Sequence, residues 1–344
     1  MKMSQGRKIL VTGASGQLGR KLIRKLVASG YSVRGQYRSE GQAERWNPEG
    51  VEIVYGDLLN DGWFDDAAAG CDAVVHCAAW VSMRQVDAEI MHRVNVEGTK
   101  KIAAACRASK SVKRLVHVSS VAAIGGTRSG FPMTESFRFN LSKYNIPYFT
   151  TKYLAEKKAL EYNGIDLEVV VVNPSIMISP PDRDITPNDL AKIPKRLPFY
   201  FDVGINIVDA YDVVEGIIAA LEKGQPGRRY ILGGEDIDQD RILELLNRYG
   251  NIRKPFFKVP YALLLTTGFA LDLVYRIRRL FSSRARAPRF SLNFARLAKY
   301  RFYFDSSKAK DDLDYSPRSL IETIEAILPK ERNLSTSSFS TDRA

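Results

Sequence analysis

The stretch PYFTTKYLAEKK, residues 147–158, holds the spacing Tyr-x-x-x-Lys twice, as Tyr148/Lys152 and as Tyr153/Lys157. A phenol with a pKa near ~10 moves protons poorly at neutral pH, and an ammonium one helical turn away stabilises its phenolate. Such a pair can act as a proton donor to a carbonyl oxygen and as an acceptor in the reverse reaction. Pro147 fits the first position of a helix, where its missing N–H costs nothing. Tyr148 and Lys152 then share a helix face. Tyr153 lies about 140° further round, so both tyrosines cannot serve one bound molecule.

A second group of residues suits a different task. ILVTGASGQLGRKLI places Gly13, Gly16 and Gly19 directly after an apolar strand and across the start of a helix. Glycine there permits a tight turn, close approach of backbone N–H groups to a pyrophosphate, and close helix–strand packing. The helix N-terminus adds donors and positive potential. Ser15, Gln17 and Leu18 lie in the same turn and complete the expected dinucleotide phosphate site. At the end of the second strand, RGQYRSEG, Tyr37 stands where an acid would bond a ribose 2′-hydroxyl, and Arg38 follows it. Arg38, with Arg45 as a second charge, suits a 2′-phosphate, so NADP(H) is expected over NAD(H). Asp57 and Leu58, ending the third strand, are expected beside the adenine; Asp57 is equally placed to cap a helix.

These residues need a scaffold, and the chain alternates strand and helix to provide one. KILVTG, YSVRGQYR, VEIVYGD, AVVHCAA, RLVHVSSV and LEVVVVNP read as strands, with helical patterns such as residues 17–28 and 89–109 between them. The unbroken apolar run Val169–Val172 suits a strand buried on both faces. Strict alternation predicts a Rossmann-type doubly wound parallel α/β sheet. AYDVVEGIIAALEKG reads as a helix capped by Gly224, and RRYILGG as a last strand. Residues 176–204 read as a long loop or small insertion, and the chain beyond about Glu235 as mainly helical. The expected division is therefore a nucleotide domain of residues 1–175 and 205–235. A smaller substrate lobe of residues 176–204 and 236–330 and a disordered tail, 331–344, complete it.

The 344 residues carry a net charge of +12, which invites a nucleic-acid reading. Its distribution argues against one. Residues 253–301 hold twelve basic side chains and a single acid, Asp272, while the rest is close to neutral. The apolar stretch 259–275 is too short, and at Thr266, Thr267 and Asp272 too polar, for a membrane span. It reads either as a lobe helix over the substrate pocket with a solvated basic rim, or as a helix lying on an anionic membrane surface. Cys71, Cys77 and Cys106 are odd in number and lack metal spacing, which points to a reducing compartment, with no disulfides and no metal. Without a signal-peptide pattern, a cytoplasmic protein is expected, with peripheral membrane contact through residues 253–301 as the variant. A homodimer is compatible with the sequence.

TGASGQLG, GDLLN after strand three, VVHCAA, VNVEGTK around Asn95, VSSVAAIG around Ser120 and PYFTTKYLAE together resemble the extended short-chain dehydrogenase/reductase family, across residues 7 to about 235. Ala155 and Glu156, three and four residues after Lys152, match the family pattern and favour the first Tyr/Lys pair. The resemblance implies that Tyr148 gives its proton to a substrate carbonyl as the nicotinamide delivers hydride. Lys152 would lower the phenol pKa and hold the nicotinamide ribose. Ser120, rather than Ser119, would bond the substrate oxygen, and Asn95 would order a water or Lys152, or merely cap a helix. Cys77, Ala78 and Ala79 match backbone lining the cofactor, and Pro174 and Ser175 the loop on its nicotinamide side. His76 and His117 read as hydrogen-bonded structural residues.

Thr151 and Asn173 depart from the frequent serine and arginine, and Asn173 counts against a nucleotide-sugar substrate. The C-terminal region looks like that of dihydroflavonol-reductase-like and 3β-hydroxysteroid-dehydrogenase-like members, including hopanoid-associated ones. That implies an apolar, polycyclic or lipid-like small-molecule substrate, and a ketone/alcohol oxidoreductase. The rivals are an NAD-dependent nucleotide-sugar epimerase or dehydratase and a non-catalytic NADP-binding, membrane-associated scaffold.

Overall fold

The computed structural model describes residues 6–179, 199–200, 202–250, 257–282, 287–288 and 290–327. The expected tail and most of the expected 176–204 loop lie outside these residues.

Seven strands form one sheet: β1 (Lys8–Thr12), β2 (Ser32–Tyr37), β3 (Glu52–Tyr55), β4 (Ala73–His76), β5 (Arg114–Val118), β6 (Glu168–Pro174) and, further along the chain, β10 (Arg229–Leu232). Their spatial order is β10-β6-β5-β4-β1-β2-β3, and every neighbouring pair is parallel. Connections run outward from β1 in one direction and from β4 in the other, so a crevice opens beyond the carboxyl ends of these two strands. Alternate residues feed opposite faces. Ile9 and Val11 join the core formed with α1 (Gln17–Ala28) and α7 (Ala210–Lys223). Leu10 joins the core formed with α3 (Phe64–Ala68) and α5 (Gly98–Ala108). The run Val169–Val172 is fully buried, because both faces of β6 are covered.

Two local readings change. The helix expected over residues 89–109 is three pieces: α4 (Ala88–Met91), a π-helical turn (His92–Glu97) and α5. Gly224 caps α7 without a left-handed backbone (φ −56°). Its requirement is space, since a Cβ there would stand 2.8 Å from Val170.

The remaining strands build a second sheet. β9 (Gly204–Asp209) pairs antiparallel with β11 (Glu235–Asp238) and in parallel with β7 (Ile176–Ile178) and β13 (Arg301–Phe302). The region expected to turn helical at Glu235 thus opens on a strand. Four residues with one apolar side chain, the buried Ile237, carry too weak an alternation to reveal it. A short parallel pair, β8 (Phe199–Tyr200) with β12 (Phe257–Lys258), leads to α9 (Tyr261–Phe281) and α10 (Leu292–Arg296). The chain then returns as α11 (Ser307–Leu313), whose Ala309 and Leu313 sit in the same core as α1 and α7, and the last described element is α12 (Leu320–Ile327).

Candidate active site

The turn after β1 closes on itself through the Gly16 N–H, which donates to the Gly13 carbonyl at 2.9 Å. Gly13 has φ +70°, and a Cβ there would stand 2.8 Å from the backbone of Ala78. A Cβ on Gly19 would run into the Gly13 carbonyl oxygen. The glycines therefore let three backbone segments meet, and α1 starts at Gln17, its first residues Gln17, Leu18 and Gly19 bordering the crevice, where first-turn N–H groups have no partner within the helix. The buried Gln36, at the end of β2, fixes the turn from below. It accepts from the Gly13 N–H at 2.9 Å and donates to the Gly56 carbonyl at 2.5 Å. Gln42 links the Ser15 hydroxyl (3.3 Å) to the Arg38 N–H (3.1 Å).

A cleft of about 370 Å³ opens above this turn, bordered by Gly13, Ser15 and Gly16, by Arg38, by Asp57 and Leu58, and by Cys77–Ala79. It runs into a second hollow of about 280 Å³ that shares Gly13, Gly16, Cys77 and Ala79 and extends past Gln17, Leu18 and Gly19. That hollow ends at Ser120, Tyr148, Lys152, Pro174 and Ser175. The hydroxyls of Ser119 and Ser175, both on this hollow, are buried and have no hydrogen-bond partner. Open glycine cradles at one end and orphaned hydroxyls at the other fit an extended dinucleotide.

α6 (Pro147–Leu160) carries the Tyr/Lys pairs, with Pro147 at its first turn. Lys152 is buried and donates to the Val118 carbonyl at 2.9 Å, at the end of β5. Burial lowers its pKa to about 8, against an opposing pull from Cys77 and Glu156. The Tyr148 phenol is raised above its usual value by burial, with a hydrogen bond to Ser120 acting the other way. The expected depression by Lys152 is thus absent, because the ammonium is turned to Val118. Ser120 also caps the following turn, accepting from the Ala122 N–H at 3.1 Å. Tyr153 points elsewhere and stacks on Phe139 at 4.5 Å between ring centroids.

A polar layer holds α6 against the sheet. Glu156 is buried and accepts from Arg229 and from Asn173, each at 2.7 Å, and Asn173 also donates to the Ser120 carbonyl at 3.0 Å. Asn95 sits inside the π-helical turn and caps no helix. Its side chain pins both polar groups of the Trp80 backbone (2.7 and 3.0 Å) and donates to Thr151 at 3.2 Å. Asp57 borders the cleft while its carboxylate accepts from the Leu59 N–H at 2.9 Å. Arg45 does not border the cleft; its guanidinium lies 4.6 Å over Trp46.

Behind the site, His76 bonds Thr12 at 2.7 Å and Thr99 at 3.0 Å. Burial, with Lys152 nearby, lowers its pKa to about 3. His117, expected to be hydrogen-bonded, has no partner on either ring nitrogen. Burial first, then His76 and Lys152, hold its pKa well below the ordinary histidine value. Gln36, Ser119, Trp80, Val81 and Met177 border the cleft but carry no motif that would single them out.

Fold and site together define a dinucleotide-dependent enzyme of the extended short-chain dehydrogenase/reductase type. Residues 9–233 match the NAD dependent epimerase/dehydratase family, to which the chain belongs. It is 32% identical over 321 residues to a putative dihydroflavonol 4-reductase of Synechocystis sp., covering 91% of each chain. It is also 32% identical over 317 residues to sterol demethylase protein B of Methylococcus capsulatus, covering 90% of this chain and 94% of that one. Among solved structures, the protein called gox2253 superposes with a TM-score of 0.75 at 29% identity, covering 93% of this chain and 96% of the other.

Proposed function

We propose that the protein is an NADP(H)-dependent oxidoreductase that interconverts a ketone and a secondary alcohol on an apolar, polycyclic or lipid-like small molecule. The observation that carries this reading is the convergence of Ser120, Tyr148 and Lys152 at one end of a cleft whose other end holds the glycine turn and Arg38. A nicotinamide bound there would supply or accept hydride. Tyr148, kept protonated by its raised pKa, is ready to donate to a carbonyl oxygen held by Ser120. Lys152, with its pKa near 8, remains largely an ammonium at neutral pH and is placed to bond a ribose.

Arg38 and the lack of an acid at the end of β2 support NADP(H). Trp80 and Val81, 38% and 66% exposed beside the cleft, with Met177 at the Tyr148 end, support an apolar substrate. The names of the two 32%-identical relatives point to polycyclic compounds. A diphosphate-bearing sugar is disfavoured because Asn173 is buried and committed to Glu156 and Ser120. Fluorescence titration tests the cofactor. NADPH should bind at least tenfold tighter than NADH (~1.4 kcal/mol), and Arg38→Gln should erase the difference. Equal affinities in the unmodified protein would refute the NADP assignment. An NADPH-consumption screen over cyclic and sterol-like ketones then identifies the substrate.

A further inference from the structure

Helix α9 is attached to the molecule by one narrow stripe. Tyr261, the adjacent pair Leu264 and Leu265, Gly268, Asp272 and Tyr275 follow one another at helical spacing, and all other residues of the helix are exposed. At Gly268 a Cβ would stand 2.9 Å from the Leu292 backbone. The Asp272 carboxylate accepts the Leu292 N–H at 3.0 Å. The helix is thus seated on the start of α10 by its back alone.

The opposite side is apolar apart from Thr266, whose hydroxyl donates to the Leu263 carbonyl at 3.1 Å. At about 100° per residue, Leu263, Leu273, Val274, Ile277, Leu280 and Phe281 fall within one arc centred across the helix from the packed stripe. They are between 46% and 85% exposed. Arg276, Arg278 and Arg279 fall outside this arc, at its margins and toward the protein. No helix among the described residues is long and apolar enough to cross a membrane. An outward apolar arc with cations at its margins is the pattern of a helix lying in the plane of a bilayer surface. The arc enters the headgroup–acyl boundary and the guanidinium groups reach lipid phosphates.

We infer that α9 docks the protein onto an anionic membrane surface, with the arc of Leu273, Ile277 and Leu280 in the lipid and Arg276 and Arg278 at the phosphates. Charge selects this occupant. α9 itself carries Arg276, Arg278 and Arg279 against one acid, Asp272, whose carboxylate is already engaged with α10. A second copy of the chain would bring like charges together across the same face. The helix that seats α9 connects to the proposed site, since Phe294 of α10 and Tyr148 pack against the same apolar cluster. The inference stands independently of the catalytic reading, and Tyr148→Phe should leave it untouched.

The test is co-sedimentation of the full-length protein with vesicles of phosphatidylcholine alone or with added phosphatidylglycerol. Binding is expected to the anionic vesicles, to weaken with salt, and to be at least tenfold lower on neutral ones. Leu273→Glu with Ile277→Glu should abolish it. Joint replacement of Arg276 and Arg278 by Gln should weaken it roughly thirtyfold. NADPH binding and the circular dichroism spectrum, unchanged in both variants, exclude misfolding as the cause. Failure of the unmodified protein to bind anionic vesicles would overturn the inference. So would binding that survives Leu273→Glu/Ile277→Glu, or a dimer in light scattering that this variant dissociates.

Discussion

Tyr148 and Tyr153 have the same local spacing to a lysine, yet their surroundings separate them. Tyr148 borders the cleft beside Ser120, while Tyr153 is stacked on Phe139. Tyr148→Phe should lower kcat by about 10³-fold, within the range of general acid catalysis, and leave the NADPH dissociation constant nearly unchanged. Tyr153→Phe should keep most of the activity. If the second variant alone is inactive in a steady-state assay, the assignment is wrong. Lys152 yields a prediction of opposite character. Its folded pKa, about 8, lies below its ordinary 10.5. At pH 7 the folded chain therefore holds a buried charge that the unfolded chain holds in water, at a cost of roughly 3 kcal/mol. Lys152→Met should lose turnover and gain thermal stability at neutral pH. That gain should shrink between pH 8 and 10.5, where the folded lysine has already lost its proton while the unfolded one still holds it; a variant less stable at pH 7 would contradict it. The Tyr/Lys pair and the glycines were legible because their spacing is local. The direction of the Lys152 ammonium was not, because Val118, on β5, is brought beneath it only by the sheet.

At the level of elements, all seven strands of the main sheet were legible from their short apolar runs. β11 and the π-helical turn were not, since each depends on partners distant in sequence. Asn95 shows the consequence: its type suggests a cap, while the π turn directs it to Trp80 and Thr151. His76 and His117 show another. They are register partners on β4 and β5, their rings 5.4 Å apart. Both are held neutral by burial, and only His76 is hydrogen-bonded. As pH falls below about 6.5, each unfolded histidine takes up a proton that the folded chain refuses, so stability drops by up to ~1.4 kcal/mol per pH unit for each. His117→Leu removes one of these slopes and one unsatisfied ring. Measured by urea unfolding, its stability relative to the parent should be about 2 kcal/mol more favourable at about pH 5 than at about pH 7.5. The same difference at both values would show that His117 titrates in the folded state.

For the whole molecule, the C-terminal return joins the two sheets. Residues Arg301–Phe302 pair with β9 in the smaller sheet, and Tyr303 and Asp305 exchange backbone hydrogen bonds with Met133 (2.8 and 2.9 Å). A few residues later Lys308 donates to the Arg229 carbonyl at 2.8 Å, and Asp312 accepts from the Tyr230 hydroxyl at 3.0 Å, both on β10. Leu313 is 1% exposed and shares a core with Ile9, Val213 and Ile217. A side chain more than 300 positions from β1 therefore helps to bury the strand that presents the glycine turn. The two sheets are expected to unfold together, in one calorimetric transition. Leu313→Ala should lower that transition by the cost of a core truncation, roughly 2–5 kcal/mol, while NADPH affinity below the transition stays near that of the parent. Two resolved transitions, with the NADPH-stabilised one unmoved by Leu313→Ala, would mean that the return segment belongs energetically to the smaller sheet alone.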